Sequence, residues 1–195
     1  MQRLTRQAKF LSNPPANWLG KEILLNHSSQ IVRHTLSVLV DNEAGVLARV
    51  IGLFSGRGYN IESLTVAEVD ETSHRSRITI VTTGTEMVIE QIRHQLERIV
   101  PVHSVVDLTL TGAELEREMA LVKVVCTGDK RVESLRLAEA FRAKVVDTTH
   151  ESFVYELTGS PSKLNAFVNL MRPLGLAEVS RTGVVAIVRG AETMS

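Results

Sequence analysis

The stretch that decides the fold runs from His34 to Gly58 and reads HTLSVLVDNEAGVLARVIGLFSGRG. Its first part, His34–Val40, is apolar and β-branched at alternate positions, which predicts a strand. A turn at Asp41–Gly45 follows, and then apolar residues recur with the period of one helical face until the glycines at 56 and 58 end the helix. The positions predicted to face a core are Leu36, Val38 and Val40 on the strand, and Val46, Leu47, Val50, Ile51 and Phe54 on the helix.

The elements after this stretch complete a recognisable order. Strands are predicted at Tyr59–Val69 and Ser76–Thr83, with a hairpin turn between them. A second helix opens at Gly84-Thr85-Glu86, with Thr85 as its N-cap, and Pro101 stops it. Its predicted buried stripe is Ile89, Ile92, Leu96 and Ile99. A strand at Val102–Leu110 gives the order β-α-β-β-α-β, which is the ferredoxin-like motif.

The same order repeats after a predicted linker, Thr111-Gly112-Ala113. Strands are predicted at Met119–Cys126, Lys144–Thr149, Ser152–Leu157 and Val184–Val188. One helix is capped by Asp129, and the other begins at Ser160-Pro161. The residues predicted to point inward are Val132, Leu135, Ala138 and Phe141 on the first of these helices, and Leu164, Phe167, Val168 and Met171 on the second.

The sequence therefore predicts an α+β chain with two ferredoxin-like units, residues 33–110 and 113–190. Each unit is an antiparallel sheet with helices on one face. Because units of this size bury little surface alone, we expect them to pack on each other or on partners.

Composition narrows the class of protein. The 195 residues are 44% hydrophobic and carry 22 basic and 22 acidic side chains, a balance that argues against a nucleic-acid surface. No apolar run approaches the roughly 20 residues that span a bilayer, so we expect a cytoplasmic protein with no membrane partner. Residues 1–32 are basic and contain Pro14-Pro15. We expect a disordered arm there, with a targeting segment or a misplaced start site as open alternatives.

Catalytic and metal-binding patterns are missing from the sequence. It has no Gly-x-Ser-x-Gly elbow, and its single cysteine, Cys126, lies within an apolar run, where we expect a buried structural thiol. None of the six histidines stands at a two-histidine metal spacing. The predicted first and third strands carry no aromatic residue on which RNA bases would stack. We therefore expect no catalytic residue, no metal ligand and no nucleic-acid partner.

The turn Asp41–Gly45 has two interpretations. Asp41 or Asn42 can cap the helix that follows, which is the common role of such residues. The free backbone amides of a helix N-terminus also favour a carboxylate, and Gly45 lets a small ligand approach the backbone. An acid of the turn, Asp41 or Glu43, would then attract an ammonium group. The residues alone leave both interpretations open.

A longer motif carries a family resemblance. The run Gly-Leu-Phe-Ser-x-Arg-Gly-Tyr-Asn-Ile-Glu-Ser-Leu from Gly52, with residues 36–66 around it, closely resembles the ACT-domain opening of the small subunit of acetohydroxyacid synthase, or acetolactate synthase. The resemblance continues through residues 76–80, 116–124 and 180–190. It implies an N-terminal ACT domain and a C-terminal domain of the family's own. The arm 1–32 departs from the family pattern.

The resemblance implies a regulator rather than an enzyme. The partner would be a catalytic large subunit that uses thiamine diphosphate, magnesium and FAD. The small subunit would activate it and confer feedback inhibition by valine or a related branched-chain amino acid. ACT domains would pair into a homodimer, with the effector held by Asn42, Gly45, Val46 and Leu47 of one chain and by Asn60 and Ile61 of the other. The alternatives are a stand-alone ACT-type sensor acting on another enzyme or a transcription factor, and an enzyme in its own right.

Overall fold

A computed structural model describes residues 30–70, 72–110, 114–191 and 193. The predicted arm, residues 1–32, lies outside this part of the chain except for its last three residues, and so does the predicted linker, residues 111–113. The strands are β1 (Val32–Asp41), β2 (Ser63–Asp70), β3 (Arg75–Gly84), β4 (Val102–Asp107), β5 (Glu114–Val125), β6 (Lys144–Thr148), β7 (Ser152–Gly159), β8 (Leu176–Arg181) and β9 (Val185–Val188). The helices are α1 (Val46–Arg57), α2 (Glu86–Leu96), α3 (Asp129–Phe141) and α4 (Pro161–Gly175).

The first sheet is antiparallel and has the order β2-β3-β1-β4. Every second residue of β1, from Leu36 to Val40, packs against the buried faces of α1 and α2. The predicted stripe of α2 is confirmed, because Ile89, Ile92 and Leu96 are buried and Ile99 packs against the same core. This alternation is what the strand and helix periods of the sequence predict.

The second sheet has the order β6-β7-β5-β8, with α3 and α4 against one of its faces. Its core contains Tyr155, Phe167 and Met171, all fully buried. Ser160 caps α4 as predicted, since its hydroxyl accepts the amide of Lys163 and Pro161 occupies the first turn. Cys126 is buried in this core, as expected. The predicted fold class, α+β with two ferredoxin-like units, is confirmed.

The strand that closes the second sheet was predicted wrongly. Leu176–Arg181, which the pattern did not reveal, pairs with β5 in the position expected for Val184–Val188. Val185–Val188 instead pairs with Glu114–Arg117, the first part of β5, and forms a separate two-stranded ribbon. Strand β5 therefore begins earlier than predicted and serves both the ribbon and the second sheet.

Three apolar helix positions predicted to be buried are exposed. Leu47 and Ile51 on α1 are 37% and 39% exposed, and Val132 on α3 is 52% exposed. The apolar stripe of α1 is wider than the surface that covers it, so Val46, Val50 and Phe54 are buried and Leu53 is partly buried against the core. Helical period identifies an apolar face but not what covers it. Asp129 is also not a cap, because Gly128 occupies that position and Asp129 begins α3.

The ribbon of β5 and β9 joins the two units. Glu116 accepts two hydrogen bonds from the guanidinium of Arg33 and one from the hydroxyl of Thr35, both on β1. On the same face of the sheet, Ser63 and Thr65 of the edge strand β2 bond to the backbone N–H and C=O of Val184. The expectation that the two units pack on each other is therefore confirmed.

Candidate functional site

The turn between β1 and α1 ends at Gly45, which is the N-cap residue of the helix. Its φ of 89° and ψ of −8° lie in the left-handed region, and its carbonyl accepts the amide of Arg49 at 3.0 Å. A residue with a Cβ is strained in this conformation, so glycine suits the position. A Cβ built at Gly45 meets no atom within 4 Å, which means that the space beside this backbone is open.

The first turn of α1 lacks a side-chain cap in the part of the chain that the structure describes. There, no side chain bonds to its amides, and the turn contains no acidic residue. Among the described residues, the amides of Leu47 and Ala48 find no backbone acceptor, and that of Val46 reaches the carbonyl of Glu43 only at 3.4 Å. The interpretation of Asp41 or Asn42 as the cap is therefore wrong. The helix end keeps free donors and partial positive charge, which together suit an anion.

The acids of the turn differ in what they contact. The carboxylate of Asp41 pairs with the ring of His103, with Oδ1 and Nε2 2.5 Å apart. Glu43 is exposed and forms no ion pair within the described residues. An incoming ammonium group would compete with His103 for Asp41 but would find Glu43 free.

The hairpin between β2 and β3 supports the turn from the side. The amide of Asn42 donates to the carbonyl of His74 at 2.7 Å, and this bond holds the turn against the hairpin. Within the hairpin, hydrogen bonds from the hydroxyls of Ser73 and Thr72 lower the pKa of Asp70. The side chain of Asn42 stays exposed and available.

The predicted site residues occupy different environments. Asn42, Gly45, Leu47 and Asn60 are exposed, and Ile61 is half-buried against the core. Val46 is only 3% exposed and packs in the core, so its side chain cannot line an open pocket. What Val46 can offer a ligand is its backbone amide.

The two halves of the predicted site lie at opposite ends of α1. Asn42 to Leu47 surround its N-terminus, and Asn60 and Ile61 follow its C-terminus. The helix has 12 residues, about 18 Å of rise, between them. A free amino acid is too small to contact both ends at once, so one chain alone does not assemble the predicted set.

Two contacts missed by the sequence reasoning connect the start of β2 to Arg33 of β1 and to the second unit. The start of β2 carries Glu62, whose carboxylate lies 3.7 Å from the guanidinium of Arg33, and Ser63, which accepts the amide of Val184. Both follow Asn60 and Ile61 directly. No local pattern reveals these contacts, because the bonded residues are up to 121 positions apart.

Two further properties of the described residues bear on other functions. They contain no group of three or more His, Cys, Asp or Glu side chains placed to hold a metal ion. No helix in that part of the chain is long and apolar enough to cross a membrane.

Family models and individual proteins that match this chain agree with one another. A family model described as an AHAS small subunit-like ACT domain matches residues 36–104, and one described as the small subunit of acetolactate synthase matches residues 117–190. The acetolactate synthase isozyme 3 small subunit of Salmonella typhimurium is 48% identical over 164 residues, which are 84% of this chain and 99% of that protein. A probable acetolactate synthase small subunit of Archaeoglobus fulgidus is 46% identical over 159 residues, 82% of this chain and 98% of that one.

A solved structure agrees with these sequence matches. The crystal structure of an acetolactate synthase small subunit from Thermotoga maritima superimposes with a TM-score of 0.75 and 41% identity. The match covers 83% of this chain and 99% of the other. The chain belongs to the family of acetolactate synthase small subunits.

Proposed function

We propose that this chain is the non-catalytic regulatory subunit of an acetolactate synthase in the cytoplasm. It activates a separate catalytic subunit and makes that subunit sensitive to valine or a related branched-chain amino acid. Thiamine diphosphate, magnesium and FAD belong to the catalytic subunit. Family membership supports the partner, since a small subunit implies a large one. The observation that carries the effector site is the uncapped N-terminus of α1 behind the left-handed Gly45.

The chemistry of the turn fits a free α-amino acid. The carboxylate accepts the free amides at the start of α1, and Asn42 adds a side-chain donor. Glu43 offers a negative charge to the ammonium group. Leu47, which is 37% exposed, supplies an apolar contact for a branched side chain. One methylene more or less in such a pocket changes affinity by about 1–3 kcal/mol, so the preference among branched residues is modest.

The pocket requires two chains. Asn60 and Ile61 of one protomer complete the site that Asn42 to Leu47 of its partner begin. Strand β2 is an edge of the first sheet, and edge strands pair readily with a second copy. Leu47 and Ile51 are exposed and lie one helical turn apart on α1, so they offer a homodimer of ACT domains an apolar contact.

The start of β2 connects this pocket to the rest of the subunit. Asn60 and Ile61 precede Glu62 and Ser63, which contact Arg33 and the backbone of Val184. An effector that shifts the start of β2 therefore also shifts the ribbon and the second unit. Coupling free energies of this kind are typically about 1–3 kcal/mol, and they are reciprocal. Binding of the catalytic subunit must then change the affinity for valine.

The test is reconstitution of the holoenzyme. The purified chain is mixed with an acetolactate synthase catalytic subunit, and acetolactate formation from pyruvate is measured with and without valine. We expect activation by this chain and new inhibition by valine. Turnover by this chain alone, or no effect on the catalytic subunit, would contradict the proposal and favour an enzyme or a stand-alone sensor.

A matched pair of glycine variants tests the site. Gly45→Asp places a carboxylate where the effector carboxylate is proposed to bind, so the valine concentration needed for inhibition rises at least about tenfold while activation persists. Gly190→Asp is the control, because Gly190 has a φ of 88° and the same open surroundings as Gly45. Both variants carry the same backbone strain. Unchanged inhibition in Gly45→Asp would mean that the effector binds elsewhere.

A further inference from the structure

A cavity lies between the outer face of the first sheet and the ribbon of β5 and β9. Its volume of about 490 Å³ is within the range of small-molecule sites. Strands β2 and β3 form one wall, and the ribbon forms the other. It is separate from the turn at Gly45, and no part of the proposed effector site lines it.

Among the described residues, the charged side chains that line this cavity are all basic. They are Arg77 from β3 and Arg117 from β5. Within the described residues the side chain of Arg77 forms no hydrogen bond or ion pair, and its Nε is buried without a partner. Arg117 forms no ion pair there either, and its Nη1 donates only to the carbonyl of Glu116. A buried guanidinium donor without an acceptor is unfavourable, and an anionic ligand supplies that acceptor.

The remainder of the cavity wall is mainly apolar. Val69 on β2 is 50% exposed, and Val185 and Ile187 on β9 are 54% and 52% exposed. These side chains line the cavity together with Ala67. An occupant with an apolar body buries the surface of these side chains, and the removal of apolar surface from water is favourable.

We propose that this cavity binds a small monocarboxylate with an apolar body. Arg77 and Arg117 hold the carboxylate through charge-assisted hydrogen bonds, and Val69, Val185 and Ile187 enclose the apolar part. In the described part of the chain no carboxylate lines the cavity to receive an ammonium group, so the cavity suits a monocarboxylate better than an amino acid. It is independent of the proposed regulatory role and of the partner subunit.

Occupancy of this site has a structural consequence. The ligand contacts strands β2 and β3 on one side and the ribbon on the other, so it binds only when the two units are docked. Binding to one arrangement stabilises that arrangement by mass action. The ligand therefore holds the second unit against the first.

The test is titration calorimetry of the full chain with octanoate as the probe. Wild-type protein is compared with Arg77→Gln and Arg117→Gln, which remove the charges, and with Ala67→Phe, which fills the space. Arg136→Gln on α3 is the matched control, since Arg136 is exposed and does not line the cavity. Octan-1-ol tests whether the carboxylate is needed. Circular dichroism melting confirms that each variant is folded.

We expect saturable binding of one octanoate per wild-type chain, with Arg136→Gln unchanged. Binding weakens at least about tenfold in Arg77→Gln and Arg117→Gln, and octan-1-ol binds at least tenfold more weakly than octanoate. Ala67→Phe abolishes binding. The proposal is overturned by any of three results: no saturable binding to wild type, wild-type affinity in both arginine variants, or octan-1-ol binding as tightly as octanoate. Sedimentation provides one more outcome. If the wild-type protein is a dimer and Ala67→Phe is a monomer, a second copy covers the cavity and the proposal is overturned.

Discussion

The central strands of the two sheets, β1 and β5, have the same place in the same topology but different surroundings. Strand β1 is buried continuously from His34 to Val40. Strand β5 alternates between buried and less buried residues from Glu118 to Val125. A strand buried throughout has material on both faces of its sheet, whereas an alternating strand has one solvated face.

The difference comes from the ribbon. Its Glu116 contacts Arg33 and Thr35 on β1, whereas the outer face of the second sheet presents Leu121 and Val125 to solvent. Where the ribbon lies on β1, the first unit therefore has three layers, whereas the second unit has two. Identical element order does not determine how many faces of a sheet are buried.

The largest expected effect is on the free energy of unfolding, and it is tested with one leucine from each central strand. Leu39 on β1 is 4% exposed, and Leu121 on β5 is 38% exposed. Leu39→Ala leaves a cavity and should lower the free energy of unfolding by about 2–5 kcal/mol. Leu121→Ala should lower it by less than about 1 kcal/mol. Urea denaturation of both variants measures the difference, and equal losses would contradict the three-layer description.

Two glutamates of β5 give a smaller but more local effect. Glu118 is 5% exposed and pairs with Arg181 inside the second unit, whereas Glu116 is 12% exposed and pairs with Arg33 of the first unit. Glu118→Gln should cost about 1–3 kcal/mol. Glu116→Gln should cost about half as much, because Arg33 is 37% exposed and solvent screens the pair.

Hydrogen exchange separates these two variants. Loss of Glu116 should speed exchange of the β9 amides without changing those of β7, because the ribbon loosens while the second sheet stays intact. Loss of Glu118 should speed exchange in β8, which carries Arg181. If Glu116→Gln speeds exchange throughout the second sheet, the ribbon and that sheet are not separable.

A buried hydroxyl distinguishes the cores of the two units. Tyr155 in the second core shares a hydrogen bond of 2.9 Å with the hydroxyl of Ser134, and burial raises the pKa of its phenol. Tyr155→Phe should cost about 0.5–1.5 kcal/mol. Tyr59→Phe in the first unit should cost less, since within the described residues the hydroxyl of Tyr59 has no hydrogen bond.

The pH dependence of stability follows from the same phenol. A raised pKa means that the native state retains a proton that the unfolded state loses, so the contribution of Tyr155 is complete below the unfolded value of about 10. It is lost as the pH rises from there through the raised native value. Wild-type stability should therefore fall more steeply than that of Tyr155→Phe as the pH rises above about 10. Parallel curves in denaturant titrations would count against the buried phenol.

The smallest effect concerns the two hairpins. Hydroxyl donors lower the pKa of Asp70 in the first unit, whereas the turn of the second is organised by the hydroxyl of Thr149. The stabilisation from Asp70 is present above the unfolded pKa of about 4 and is lost as the pH falls below it. As the pH is lowered, the hairpin amides of the first unit should exchange faster in the wild-type protein than the same amides do in Asp70→Asn. The second hairpin serves as the internal control and should show no such change.

The sequence predicted most of the elements because their periods were strong. Alternation in β1 and the helical repeats of α2 and α4 identified the faces that the core buries. Strand β8, Leu176–Arg181, was missed because it has no fully buried residue and therefore no clear alternation. Leu47 and Ile51 were placed in the core because a helical repeat records apolarity and not the presence of a neighbour.

The candidate site was only partly predictable. The turn at Gly45 was identified by its residues, but its role as an uncapped end depends on backbone angles that the sequence does not record. The ribbon and its contacts depend on residues more than 80 positions apart, such as Arg33 and Glu116. Long-range pairing of this kind leaves no local pattern.

The continuity of β5 has a mechanical consequence. Glu114–Val125 is one strand of 12 residues, roughly 40 Å long, with no break between the part in the ribbon and the part in the second sheet. Residues 114–117 pair with β9 in the ribbon, and residues 118–125 pair with β7 in the second sheet. For a rigid strand of this length, a tilt of about 5° at the ribbon would displace the far end by about 3 Å. We therefore expect a small rotation of the ribbon on the first unit to become a larger shift at the far end of β5.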